Sequence, residues 1–201
     1  MADPRTPDAD PFRSPWLLSA ESSLLLVIDL QEKLLPAMRD TGLLLDRVER
    51  LLDGAALFDV PVIGTEQYPR GLGGTVASIA AKLGAPFEKL AFSGCGAAGL
   101  SAELARRGRR QIVLCGIETH VCVQQTALDL IAAGYDVHVP VDALSSRREL
   151  DHRIALDRMD RCGATMTTVE AVLFEWCGAA GTDRFKQLSA IVRRPDPPTS
   201  S

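Results

Sequence analysis

The sequence is missing what several protein classes require. No apolar run approaches the roughly 18 residues that span a bilayer. The first 22 residues, rich in Pro and Asp, lack the basic-then-apolar order of a signal peptide. Basic residues are in deficit: 22 Lys and Arg against 26 Asp and Glu leave a net charge of −4, with no broad basic face for a phosphate backbone. The one basic run, Arg106-Arg107-Gly108-Arg109-Arg110, reads as a solvated helix end. Neither nucleic acid nor a membrane is therefore expected as a partner. The three histidines, His120, His138 and His152, stand singly and lack the paired spacing of a zinc site. Five cysteines, an odd number, include no CxxC pair, and a chain of 201 residues needs no disulfide staples. Free thiols in a reducing cytoplasm are the simplest reading.

What is present fits one soluble domain. Hydrophobic residues make up 46% and charged residues 24%, ordinary globular values. At this size folding buries roughly 70% of the unfolded surface, enough for a self-sufficient core. Four prolines fall in the first fifteen residues and three in the last seven. Segments 1–20 and 193–201 are accordingly expected to be disordered tails around a domain at 21–192.

Between the tails, apolar runs alternate with helical patterns. Ser23 to Asp29 is a continuous apolar run ending in a carboxylate, as in a strand buried on both faces. Leu44, Val48, Leu51, Leu52 and Ala55 keep helical spacing within 43–58. Short apolar runs follow at 60–64, 111–116, 135–139 and 165–168, separated by helical patterns at 99–107, 121–133 and 149–162, with helical segments to Val192. Strands separated by such helices predict an α/β fold: a three-layer, doubly wound, Rossmann-like and mostly parallel sheet with helices on both faces. In such sheets ligands bind beyond the carboxyl ends of the strands, where strand order reverses. That rule directs attention to Asp29 and to the loop from Gly116 to Cys122.

Asp29 has two open readings. Partly desolvated at a strand end, it is a candidate proton carrier; alternatively it caps a helix through Leu30–Leu35, whose pattern is helical. A phospho-acceptor role lacks the acidic cluster it needs. Cys122 stands where a helix begins, so the helix dipole is expected to lower its pKa and the nearby N–H groups to stabilise an oxyanion. Its apolar neighbours Val121 and Val123 also suit a small buried hydrophobe. Lys89, between Phe87 and Phe92, can hold a neighbouring thiolate and carboxylate ionised, or be an ordinary surface lysine. Periodicity does not place it beside Asp29.

Five stretches in order resemble the isochorismatase-like cysteine hydrolases. They are Leu26–Gln31, Thr65–Pro69, Lys89–Ser93, Gly116–Leu130 and Val137–Arg147, spread over nearly all of 22–192. The resemblance implies a catalytic triad of Asp29, Lys89 and Cys122: the thiolate attacks an sp² carbon, commonly an amide's, Asp29 relays the proton, and Lys89 supports the charges. It also implies a cis peptide between Ile117 and Glu118, with the N–H groups of Glu118 and Cys122 facing the oxyanion. Glu66, Gln67, Tyr68 and Phe92 are expected to bind substrate, with a neutral polar compound favoured over a strongly anionic one. Nicotinamidases of the family carry an Asp and histidines for a metal after the second strand. The segment from Thr65 to Gly73 has no histidine, so no metal and no other cofactor is expected. True isochorismatases lack the cysteine that Cys122 supplies. The implied activity is therefore hydrolysis of a small amide or related compound through a thioester-type intermediate, in a homo-oligomer whose contact surface is expected in Val169–Val192. A binding or scaffold protein that keeps the fold, and a thiol redox sensor using Cys122, are the alternatives.

Overall fold

The computed structural model describes residues 13–198. Seven parallel strands form one sheet: β1 (Ser23–Ile28), β2 (Val62–Gln67), β3 (Phe87–Lys89), β4 (Gln111–Ile117), β5 (Asp136–Pro140), β6 (Leu144–Ser145) and β7 (Thr165–Thr167). The order across the sheet is β3-β2-β1-β4-β5-β7, with the short β6 paired to the end of β4. Every residue of β1 and of β4 is buried, as a central parallel strand requires. The chain winds outward from β1 to β3, then returns to lay β4 on the other side of β1. Strand order thus reverses between β1 and β4.

Side chains alternate along each strand and feed two cores. Leu25 and Val27 of β1, with Val113, Cys115 and Ile117 of β4, pack against α1 (Thr41–Leu57), α7 (Val169–Cys177) and α8 (Asp183–Val192). Leu24, Leu26 and Ile28, with Ile112 and Leu114, face α4 (Leu100–Arg107), α5 (Gln124–Ala132) and α6 (Glu149–Arg161). The result is the expected three-layer, doubly wound arrangement. Two single-turn helices, α2 (Pro69–Leu72) and α3 (Ala77–Ala80), lie between β2 and β3.

The structure differs from the sequence reading in two places. No helix follows Asp29: only a 3-10 turn at Leu35–Ala37 forms, because Gln31 and its neighbours bond across to the segment after β2 instead. Within residues 13–20, assigned to a disordered tail, Arg13, Leu18 and Ala20 are held against the domain while 14–17 are exposed. Leu18 is fully buried, its N–H donates to Glu175 Oε2 at 2.7 Å, and the Arg13 guanidinium reaches the carbonyls of Leu18 and Glu175. At the other end the Asp196 carboxylate sits in the fork of Arg47 at 2.8 and 2.9 Å and accepts from Arg50 at 3.0 Å, so 193–198 is likewise held. Residues 1–12 and 199–201 lie outside the described range. Of the C-terminal helices, Val172, Leu173, Trp176, Leu188 and Ile191 are buried in the α1 core, while Phe174 is exposed and packs against Phe185 with ring centroids 6.4 Å apart.

Candidate active site

The reversal point brings together residues from three loops. Asp29 follows the last residue of β1 and adopts φ 51°, a left-handed turn that swings its side chain across the end of the sheet. Its Oδ1 accepts a 2.7 Å bond from Thr65 Oγ1 of β2, and its Oδ2 lies 2.6 Å from Lys89 Nζ of β3. Both side chains are fully buried. Helix capping by Asp29 is thereby excluded, and so is a surface position for Lys89. A buried ion pair of this kind needs all its donors satisfied. Lys89 meets that requirement, donating also to Gln67 Oε1 at 2.7 Å and to the Phe92 carbonyl at 3.0 Å.

Cys122 enters from the other side. After β4 the peptide between Ile117 and Glu118 is cis, and Thr119–Val123 forms a widened π-type turn that runs into α5. The thiol is buried, and its Sγ is 4.0 Å from Gln67 Oε1. Burial pushes the thiol up to about 12; the Asp29 charge pushes the same way, while Lys89 pulls it down. The sequence had suggested a thiol lowered by the helix dipole. The resting environment opposes that, because desolvation and a carboxylate both disfavour the thiolate.

The close approach of β1 and β4 depends on Gly116. A Cβ there would lie 2.1 Å from the Ile28 carbonyl oxygen, and the residue has φ +118°. Around the Cys122 turn, Thr119 Oγ1 donates to the Ser145 carbonyl at 2.9 Å and therefore accepts from His152 Nδ1, also at 2.9 Å. His120 Nδ1 meets Ser146 Oγ at 3.0 Å, and Glu118 pairs with Arg147 at 2.9 Å. Thr126 Oγ1, one turn after Cys122, donates to the Cys122 carbonyl at 2.6 Å and accepts from Gly94 N–H at 2.7 Å. It ties the Lys89 loop to the Cys122 turn.

The residues expected to bind substrate separate into different roles. Gln67 lies in the centre, but its Oε1 is taken by Lys89 and its Nε2 by the Leu90 carbonyl at 2.9 Å. Glu66, next along the strand, bonds the N–H and hydroxyl of Thr75 at 2.6 and 2.7 Å. Phe92 contributes its carbonyl to Lys89 while its ring is exposed, and Tyr68 is half exposed, with its ring over Gly71. Leu90, between Lys89 and Phe92 in the chain, is exposed as well. Among the described residues no group of three His, Cys, Asp or Glu side chains is placed to hold a metal ion.

Several site residues carried no role in the sequence reading. Gln31, Thr65 and Thr126 are buried polar groups whose importance comes from partners on other strands. Their signal in sequence is only spacing: two residues after Asp29, the close of an apolar run, and one helical turn after Cys122.

Comparison with known proteins agrees with this fold. Residues 23–171 match the Isochorismatase domain family. Isochorismatase domain-containing protein 2A of Mus musculus is 42% identical over 178 residues, covering 88% of this chain and 85% of that protein. Isochorismatase domain-containing protein 1 of Salmo salar is 42% identical over 172 residues, which is 84% of this chain but 60% of the salmon protein's length. Among solved structures, the MAR1 ribonuclease of Caenorhabditis elegans superposes with a TM-score of 0.84 at 36% identity, covering 91% of this chain and 95% of that one. The YcaC gene product of Escherichia coli, described as an octameric hydrolase of unknown specificity, superposes with a TM-score of 0.81 at 27% identity, over 87% of this chain and 90% of that one. A fold with this strand order, matched over most of its length by these relatives, places the chain in the isochorismatase domain family.

Proposed function

We propose that the protein is a cysteine hydrolase of a small amide or related neutral compound, acting through a thioester intermediate on Cys122. The observation that carries this reading is the fully buried Asp29–Lys89 pair beside the Cys122 thiol. Burial and the Asp29 charge disfavour the thiolate in the resting site, so the reaction is taken to start from the thiol. Asp29 instead accepts the thiol proton as Sγ bonds to the substrate carbonyl carbon. The carbonyl oxygen becomes an oxyanion facing the N–H groups of Glu118 and Cys122. Collapse of this adduct breaks the C–N bond, and the leaving amine takes the proton from Asp29. Water then attacks the thioester and gives a proton to Asp29; collapse breaks the C–S bond, Asp29 returns the proton to the sulfur, and the acid product leaves with Cys122 restored as a thiol. Lys89 keeps a positive charge beside the carboxylate throughout.

Tyr68, Leu90 and Phe92 are exposed and follow Gln67 and Lys89 closely in the chain, which favours a substrate with an apolar portion beside its amide. The five cysteines are free, in keeping with a reducing compartment such as the cytoplasm. No helix among the described residues is long and apolar enough to cross a membrane. We take the assembly to be a homo-oligomer, as YcaC is, with exposed Leu150 and Ile154 of α6 better suited to a contact than the C-terminal helices.

The test is a panel of small amides with an RNA oligonucleotide as comparison, read by hydrolysis and by intact mass. Turnover with a transient acyl adduct on Cys122, both lost in Cys122→Ala, supports the proposal. Turnover retained by Cys122→Ala overturns it. RNA cleavage without amide hydrolysis, in the manner the C. elegans relative's name describes, overturns it as well.

A further inference from the structure

Gln67 stands at the meeting point of every element of the site, and its surroundings fix which way its carboxamide points. An amide's oxygen and nitrogen are told apart by their partners. Here the Lys89 ammonium, which has only donors, faces one end at 2.7 Å, and the Leu90 carbonyl, which only accepts, faces the other at 2.9 Å. The oxygen must therefore be on the Lys89 side. That is also the side of Cys122, whose Sγ is 4.0 Å away.

The backbone of Gln67 is equally constrained. β1 ends at Ile28, so the last residue of β2 has no strand partner on that side. The side chain of Gln31 fills the gap. Its Oε1 accepts from the Gln67 N–H at 2.7 Å, and its Nε2 donates to the Gln67 carbonyl at 3.0 Å. A buried carboxamide thus supplies both bonds that a neighbouring strand would have made.

An ammonium has three N–H donors. Those of Lys89 lie closest to Asp29 Oδ2, Gln67 Oε1 and the Phe92 carbonyl, with the Ala91 carbonyl at 3.5 Å, so in the resting state the Cys122 sulfur competes for the ammonium with nearer oxygen acceptors. We propose that Gln67 is a positioning residue: its carboxamide oxygen holds the Lys89 ammonium on Asp29 and away from the Cys122 sulfur until substrate arrives. The oxygen, carrying partial negative charge, also faces the sulfur and disfavours a thiolate there. The site therefore keeps its nucleophile protonated and unreactive towards adventitious electrophiles. The other charged or titratable groups around Cys122 are already engaged: Asp29 with Thr65 and Lys89, Glu118 with Arg147, and His120 with Ser146.

This inference rests on the hydrolase reading for its purpose, but its test needs no substrate. The rate of Cys122 carbamidomethylation by iodoacetamide is measured against pH by peptide mapping in the full chain. The variants are Gln67→Met, which keeps the length and removes the oxygen, and Gln67→Glu, which adds a charge. Gln67→Met frees one N–H of Lys89 for the sulfur and is expected to move the profile down by about one pH unit, about tenfold faster at a given pH. Gln67→Glu places a second carboxylate by the sulfur and is expected to move it up by a similar amount. Opposite displacements support the proposal. Profiles that coincide with the parent in both folded variants, or move in the same direction, overturn it. If Gln67→Met does not fold, Gln67→Glu decides alone: an upward displacement supports the proposal and any other result overturns it. Amide turnover that survives Cys122→Ala would remove the hydrolase reading and leave the alkylation result intact, so the two failures are distinguishable.

Discussion

Lys89 Nζ lies 2.6 Å from Asp29 Oδ2, and neither side chain has any exposed surface. Sixty residues separate them in the chain, and two crossovers and the width of β2 separate the strands they end. A contact between charges at such a depth survives because the remaining polar atoms find partners: Thr65 for the carboxylate, Gln67 and Phe92 for the ammonium.

Removing one member of that pair should cost more than removing both. Lys89→Met strands the Asp29 carboxylate without its counter-charge and is expected to destabilise the fold by about 3–5 kcal/mol. Adding Asp29→Asn to it should recover part of the loss, because the neutral amide still accepts from Thr65. Urea unfolding of the single and double variants measures the difference. Equal stability in all of them would mean that the pair is not desolvated in solution.

The thiol chemistry has a definite direction with pH. Burial and Asp29 raise the Cys122 pKa to about 12, so its thiolate fraction grows through the whole range from pH 7 to 10. Alkylation of Cys122 is expected to climb about tenfold per pH unit there without a plateau. The exposed Cys162, with no such burial, should react faster at pH 7. A Cys122 rate that levels off below neutral pH would show a stable thiolate and contradict attack from the protonated state.

Gly116→Ala tests the seam between the two central strands. The new methyl would meet the Ile28 carbonyl at 2.1 Å, and an L side chain rarely adopts φ +118°. Backbone atoms on β1 cannot yield without moving Asp29, so a loss of several kcal/mol is expected, with Cys122 reactivity changed in whatever folds. Gly134→Ala is the comparison: it has φ +88° but open space around its Cβ position, and should cost about 1–2 kcal/mol from backbone strain alone. Thermal unfolding of the two variants ranks them. A smaller loss at Gly116 would mean that the strands separate easily.

The sequence told most about what lies along one strand and least about what lies across strands. The apolar run of β1 and its terminal Asp29 could be read because a strand buried on both faces leaves an unbroken signature. The Gly116–Cys122 loop could be read because it follows a second such run. The place of Lys89 could not, since β3 is a three-residue edge strand with no periodicity to read. Gln31 misled in a useful way. Leu30–Leu35 has helical spacing, yet Gln31 Oε1 and Nε2 are drawn across to the backbone of Gln67, and tertiary hydrogen bonds override the local pattern. The five stretches that carry the family resemblance supplied the grouping of Asp29, Lys89 and Cys122. Nothing in their spacing shows that Gln67 joins Lys89 to the thiol.

The long separation of Asp29 and Lys89 matters during synthesis. Asp29 leaves the ribosome 60 residues ahead of its counter-ion, a delay of roughly 3–12 s at about 5–20 residues per second. Until then the carboxyl end of β1 carries a charge that cannot be taken out of water. The nascent segment is thereby kept soluble at the one point where its apolar run would otherwise continue into the core. Cys122 emerges later still, after both members of the ion pair beside it have been made.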